Sequence, residues 1–216
     1  MRIINAFLLL LLSAYGFSQP NHASRYVFYF HGAVVTELGD NAVNQSMPEW
    51  GPYEYSNILD SLHTRGFIVF SEIRKKGVDD SYYINKLEKQ VDSLFSRGVK
   101  PSAILLLGAS AGSHYVLKGA SLIGNDQLKV AIMGACRSET YKYYADLKLQ
   151  GNYLSIIERS DPHKTCEAIF KDRSEVSDFR EVELNTGLSH GFIYKGYAAW
   201  LDPLMQWFNS DGHLPD

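Results

Sequence analysis

Cysteine is scarce in this chain: Cys136 and Cys166 are the only two in 216 residues. With no C-x-x-C pair, no H-E-x-x-H and no clustering of His with Cys, the ligand spacings that metal sites need are missing. A basic cluster is missing too. The formal net charge is −3, and Lys75-Lys76 is an isolated, solvated pair. The sequence therefore has no electrostatic footprint for nucleic acid or anionic lipid. It has neither an internal repeat nor a low-complexity tract. Beyond the N-terminus no apolar run approaches the roughly 20 residues that a spanning helix requires. Nothing in these patterns calls for a metal or a cofactor.

What is present begins at the N-terminus. Met1-Arg2, an apolar run over 7–12 and a small, polar stretch over 13–19 have the layout of a secretory signal peptide. Gly16-Phe17-Ser18 offers small residues at the two positions a signal peptidase reads, so cleavage is expected after Ser18. An uncleaved membrane anchor is the alternative. Residues 19–216 are long enough for one domain with a sizeable core. The mature chain is then expected to be secreted or periplasmic, without stable membrane insertion once the signal is removed. In an exported protein an even cysteine count permits a disulfide. In a eukaryotic source Asn44-Gln45-Ser46 would be a glycosylation sequon.

Apolar, β-branched and aromatic runs at 26–30, 67–72, 103–107, 130–134, 153–157 and 180–184 read as six strands. The first five are apolar almost throughout rather than alternating, as strands covered on both faces are. Between them, Tyr55, Ile58, Leu59 and Leu62 fall on one helical face, as do Ile84, Leu87, Val91, Leu94 and Phe95. Further helices are expected from Ser110 to about Leu122, more weakly over 139–147, and around Trp200, Leu201, Leu204, Met205 and Phe208. Gly66, Gly98 and Gly124 stand where helices must stop before the next strand. Strand and helix alternate as a mainly parallel α/β sheet with crossover helices demands.

The chemistry-bearing signal is Ile104-Leu105-Leu106-Leu107-Gly108-Ala109-Ser110-Ala111-Gly112, a buried strand that runs into G-x-S-x-G and then into a helix. A nucleophilic serine on a tight strand-to-helix turn needs small residues two before and two after it, and Gly108 and Gly112 supply them. The pentapeptide alone arises by chance; its position after a strand gives it weight. A phosphate-cradling loop would need a further glycine or a G-K-[ST], and neither follows. A serine hydroxyl also needs an imidazole to take its proton and a carboxylate to orient that imidazole. Asp161, before Pro162, follows the strand at 153–157, and His190 follows the strand at 180–184 within Gly187-Leu188-Ser189-His190-Gly191-Phe192. Ser110, Asp161 and His190 would each lie beyond the C-terminal end of a parallel strand. The rivals are Glu158 for the carboxylate and His163 for the base. His114 reads as packing or solvated, and His22, His63 and His213 read as surface residues.

After the first strand, His31-Gly32-Ala33-Val34 provides an early loop whose Ala33 N–H is expected to pair with that of Ala111 as an oxyanion hole. Gly32 permits close backbone approach, and His31 is expected to bond neighbouring backbone. Together, His31-Gly32, the Gly108-to-Gly112 elbow, Asp161-Pro162 and Ser189-His190-Gly191-Phe192 resemble the α/β-hydrolase superfamily over nearly the whole mature chain. The resemblance implies the α/β-hydrolase fold, with a wholly parallel six-stranded sheet flanked by helices on both faces. It also implies a serine mechanism without a cofactor.

Only about eighteen residues separate Gly134 from Tyr153, too few for a lid, so an open site is expected. An open site suits soluble or polymer-linked carboxylic esters. A peptidase, a thioesterase or a non-catalytic binding module on the same scaffold are the alternatives. Val34 and Trp50, with Met47, are expected to wall the substrate site from a loop over 34–52, and Tyr141, Tyr143 and Tyr144 to flank the cleft. Acyl group, alcohol and oligomeric state leave no signal in the sequence.

Overall fold

A computed structural model describes residues 24–210. The expected signal peptide, His22 and His213 lie outside them. In chain order, strand β1 (Arg25–Phe30) leads into helix α1 (Ala33–Leu38). A two-stranded antiparallel ribbon follows, made of β2 (Ala42–Val43) and β3 (Pro52–Tyr53) around a 3-10 turn at Pro48–Trp50. Then come α2 (Tyr55–Thr64), β4 (Phe67–Phe70), α3 (Asp80–Ser96), β5 (Ile104–Ala109), α4 (Gly112–Ile123), β6 (Lys129–Met133), β7 (Gly151–Glu158), α5 (Glu167–Phe170), β8 (Val176–Leu184) and α6 (Ala198–Asn209). Six of the strands form one sheet in the order β4-β1-β5-β6-β7-β8. Every pairing in it is parallel, as expected.

Side chains alternate across a strand, and the two faces of this sheet bury separate sets. Val27, Tyr29, Leu105, Leu107, Met133 and Ile156 pack with Ile58 and Leu62 of α2 and with Trp200, Leu204 and Trp207 of α6. The intervening Phe28, Leu106, Val130 and Ile132 pack with Leu87 and Val91 of α3 and Val116 and Leu117 of α4. Each fully buried Leu, Val, Ile or Phe contributes roughly 1.5–3 kcal/mol. Burial on both faces is why these strands carry no polar alternation. The helices on the second face pack closely because Gly119 of α4 lies against Leu87; a Cβ there would stand 2.5 Å from the leucine Cδ2. Gly66, Gly98 and Gly124 have φ of 90°, 81° and 59°, the left-handed backbone that ends α2, α3 and α4.

Three expectations need correction. The last strand starts at Val176 rather than at residue 180, because β8 is an edge strand with mixed, half-exposed residues and its first half lacks an apolar run. The segment 34–52 is not a plain loop; it contains α1, the β2–β3 ribbon and a 3-10 turn, all too short to give a periodic signal. Over 139–147 no α-helix forms. A 3-10 segment covers Ser138–Tyr143, and the Arg173 guanidinium then takes the carbonyls of Tyr144, Ala145 and Leu147 at 2.6–3.1 Å, competing with helical hydrogen bonds. Among the described residues no helix is long and apolar enough to cross a membrane.

Cys136, just past β6, is bonded to Cys166 at the start of α5. The Lys164 N–H also donates to the Cys136 carbonyl at 2.9 Å. The loop so closed spans 30 residues of sequence and contains β7 and Asp161. Such a loop reduces the freedom of the unfolded chain by about 3–4 kcal/mol. Native protein is expected to show no titratable thiol before reduction. The Cys136→Ser/Cys166→Ser variant is expected to lose about 2–4 kcal/mol of stability in urea unfolding.

Candidate active site

The site lies at the C-terminal ends of the parallel strands, the edge at which open α/β sheets form crevices. Ser110 follows β5 directly and has φ of 50°, a left-handed backbone that costs a non-glycine residue roughly 1–2 kcal/mol. Its N–H donates to the Met133 carbonyl at 2.8 Å, and its own carbonyl accepts from the Ser113 N–H at 2.9 Å. A Cβ on Gly108 would meet Ser113 Cα at 2.6 Å, and one on Gly112 would strike the Phe30 carbonyl oxygen. Both glycines are therefore steric necessities of the turn.

Ser110 Oγ lies 3.0 Å from His190 Nε2, and His190 Nδ1 lies 2.7 Å from Asp161 Oδ2. Three residues far apart in sequence thus meet in one hydrogen-bonded line. Asp161 is fully buried, and its second oxygen is equally occupied. Oδ1 accepts from the His163 N–H and pairs with His163 Nδ1, both at 2.9 Å. His163 Nε2 accepts from Arg137 Nε at 3.0 Å, so the imidazole proton sits on Nδ1 and points at the carboxylate. Burial alone would raise the Asp161 carboxyl, but hydrogen bonds from His163 and His190 outweigh it and hold the group well below the usual carboxylate range. The two imidazoles stack with centroids 4.4 Å apart.

Both rivals from the sequence reading are engaged elsewhere. Among its hydrogen-bonded partners His163 has Asp161 and Arg137, not Ser110. Glu158, also buried, accepts from Thr186 N–H at 2.9 Å, Thr186 Oγ1 at 2.8 Å and Ser160 Oγ at 2.9 Å. The Ser160 hydroxyl in turn accepts from the Ser189 N–H at 3.0 Å, next to His190. The Glu158 carboxylate therefore ties the end of β7 to the loop that carries His190.

Ala33 opens α1 and Ala111 precedes α4, so as first-turn residues their N–H groups have no acceptor within their own helices. The loop before Ala33 is held from behind. His31 Nδ1 donates to the Gly32 carbonyl at 2.8 Å, and His31 Nε2 accepts from the Arg74 N–H at 3.0 Å. Burial, aided by the Arg74 charge, pushes the His31 imidazole down to about 4. The Gly32 N–H donates to the Tyr53 hydroxyl at 3.2 Å, and that hydroxyl is 2.6 Å from the Tyr29 hydroxyl. Burial pushes the Tyr53 hydroxyl up to about 12, so it keeps its proton.

A cavity of about 340 Å³ opens over Ser110. Ala33, Val34, Met47, Trp50, Ile193 and Tyr194 give it apolar lining, with Arg137, Pro162 and His163 also at its wall. The Trp50 ring stands 5.6 Å from the His190 ring and packs over Gly191, where a Cβ would come within 3.0 Å of it. Tyr141, Tyr143 and Tyr144 do not line this cavity. The Tyr141 hydroxyl donates to the Thr165 carbonyl at 2.8 Å, Tyr144 is in the core and Tyr143 is exposed. Asp161, His163 and His190 bring candidate metal-ligand atoms within 4.8 Å of one another. Their facing atoms are already paired by protons, and the Arg137 cation adjoins His163, so we assign no metal to the cluster.

Sequence reasoning missed Gly134, Tyr53 and Arg137. Gly134, after β6, has φ of 54°, and a Cβ there would stand 3.0 Å from His190 Cε1 and 3.2 Å from Asp161 Oδ2. Its place directly after a buried strand was the one available signal. Gly134→Ala is expected to displace the imidazole and slow labelling of Ser110 by an active-site phosphonate about tenfold or more, with circular dichroism unchanged. A second expectation concerns stability. The unfolded state protonates His31 near 6.5, while the folded state stays neutral down to about 4. Stability is therefore full above pH 6.5 and falls through the window from 6.5 to 4, by on the order of 3 kcal/mol for a group this buried. The Asp161 contribution is lost only below its ordinary value of 3.8. His31→Gln should flatten the slope of unfolding free energy in the upper window and leave the acid limb in place.

No protein-family model matches the sequence, and no curated protein matches it. Solved structures do match. An α/β-hydrolase enzyme from the metagenome of lagoon sediments at Mar Chica, Morocco, aligns at a TM-score of 0.56 and 14% identity, covering 86% of this chain and 90% of its own. Carboxyl esterase 2 from the mycorrhizal fungus Tuber melanosporum aligns at 0.53 and 16% identity, covering 90% and 81%. A sugar hydrolase from Lactococcus lactis aligns at 0.52 and 12% identity, covering 88% and 90%. With its six-stranded parallel sheet and these neighbours, the chain has the α/β-hydrolase fold.

Proposed function

We propose that the protein is a serine hydrolase that cleaves carboxylic esters through an acyl-enzyme. The observation that carries this reading is the hydrogen-bonded line from Ser110 through His190 to Asp161, at 3.0 and 2.7 Å. Ser110 Oγ attacks the ester carbonyl carbon while His190 Nε2 takes its proton. Asp161 keeps the other imidazole proton on Nδ1 and stabilises the imidazolium. The negative charge on the carbonyl oxygen falls to the N–H groups of Ala33 and Ala111, beside the N-terminus of α4. Collapse of the tetrahedral intermediate breaks the C–O bond, and the alcohol leaves with the proton from His190. Water, deprotonated by the same imidazole, then attacks the acyl-enzyme and releases the acid.

The lining by Val34, Met47, Trp50 and Tyr194 supports an apolar portion in the substrate, either a small molecule or an ester carried on a polymer. A carboxyl esterase among the fold neighbours supports ester chemistry over peptide cleavage. We also propose export of the chain, to the periplasm or beyond. The apolar leader supports this, as does the Cys136–Cys166 bond, since disulfides persist in oxidising compartments.

Labelling by a fluorophosphonate probe tests the mechanism. Folded wild type is expected to label and to hydrolyse 4-nitrophenyl acetate, and Ser110→Ala and His190→Ala are each expected to abolish labelling and to lower kcat/KM about a thousandfold or more. Absence of labelling in folded wild type would overturn the reading in favour of a binding module on the same scaffold.

A further inference from the structure

The cleft over Ser110 has, among the described residues, no carboxylate in its lining but does have a guanidinium, that of Arg137. Among the described residues Arg137 forms no ion pair, and its side chain donates from Nε to His163 Nε2 at 3.0 Å. A guanidinium carries five N–H donors in a rigid fork, so the one bond to His163 leaves the terminal pair of nitrogens unspent. Asp161 does not neutralise it. That carboxylate is fully buried, takes three donors from His163 and His190, and is separated from Arg137 by the His163 ring.

Arg137 is exposed, but its backbone is held firmly. Its neighbour Cys136 is in the disulfide. The Arg137 N–H donates to Thr140 Oγ1 at 3.1 Å, and its carbonyl accepts from Thr140 N–H at 2.9 Å and Oγ1 at 2.8 Å. The disulfide and the Thr140 bonds thus fix the backbone that carries Arg137, and the bond from Nε to His163 anchors the fork-shaped cation at the cleft. A fixed guanidinium of this kind matches a planar carboxylate with two parallel hydrogen bonds and loses little side-chain freedom in doing so.

We infer that Arg137 is a specificity-determining residue that binds a carboxylate carried by the ester substrate, while Val34, Met47 and Trp50 receive its apolar part. The inference rests on the hydrolase reading above and narrows its substrate to anionic esters.

Paired substrates of equal length test it. For wild type, kcat/KM on mono(4-nitrophenyl) glutarate, relative to 4-nitrophenyl valerate, and on 3-carboxyphenyl acetate, relative to phenyl acetate, gives a charge preference on the acyl and on the alcohol side. One of the two ratios is expected to be about tenfold or more, to reside in KM, and to shrink as salt rises. In Arg137→Gln that ratio should fall about tenfold, and in Arg137→Lys it should survive in part, which a purely structural role through His163 would not produce. Binding supplies a second, turnover-independent readout. Ser110→Ala protein should bind monobenzyl glutarate or 3-carboxyphenyl acetate more tightly than its neutral counterpart, and Ser110→Ala/Arg137→Gln should not.

Ester turnover with ratios that Arg137→Gln leaves unchanged would overturn the inference and leave the hydrolase reading standing. No turnover of any ester, with the Arg137-dependent binding preference intact, would overturn the hydrolase reading and leave carboxylate recognition standing.

Discussion

Two pieces of backbone meet at the C-terminal edge of the sheet with no space between them. The Phe30 carbonyl at the end of β1 lies where a side chain at position 112 would be, and the Ser113 backbone lies where one at position 108 would be. Everything else at the site follows from that contact. It forces the turn at Ser110 into left-handed backbone, which aims Oγ at His190. It also sets the Gly32-Ala33 loop against the turn, so that Ala33, which opens α1, and Ser110 line one cavity. The strain at Ser110 is offset by the fully buried β5 on one side and α4 on the other, whose apolar faces leave the turn no room to relax.

Around this contact the polar groups form two supports. Behind the Gly32 loop, Arg74, His31, Tyr53 and Tyr29 hold backbone atoms with neutral or distributed donors. Under His190, the end of β7 supplies two carboxylates three positions apart. Asp161 takes the imidazole itself, while Glu158 takes the loop that presents it. Both are buried, and both hold their negative charge because several donors converge on each, offsetting the cost of burial. The arrangement makes the position of His190 depend on hydrogen bonds to its side chain and to its flanking backbone at once.

The parts of this design written in long or rigid patterns were legible in the sequence. The all-apolar strands over 104–107 and 130–133 could belong only to buried elements, and G-x-S-x-G after such a strand located the serine that the structure sets 3.0 Å from His190. Short or two-sided elements were not legible. α1 is less than two turns long, and β8 alternates only weakly because one of its sides lies at the sheet edge. The role of Glu158 could not be separated from that of Asp161 by spacing alone, since Glu158 ends β7 and Asp161 lies three residues on, and only the direction of their side chains distinguishes them. Arg137 was hidden for another reason: nothing about an exposed arginine in sequence reveals that a histidine from across a disulfide-closed loop will fix it at the cleft.

Strand order also bears on timing. β5, with Ser110 after it, is central in the sheet, whereas β8, which leads to His190, is last both in space and among the strands along the chain. A chain emerging from its N-terminus therefore carries the serine long before it carries the imidazole that reaches it. Parallel strands pair only after their crossovers are made, so the Ser110 hydroxyl meets His190 when the edge of the sheet closes. The hydrogen-bonded line from Ser110 to Asp161 thus requires the edge strand in place, and the acyl chemistry proposed for it carries the same requirement.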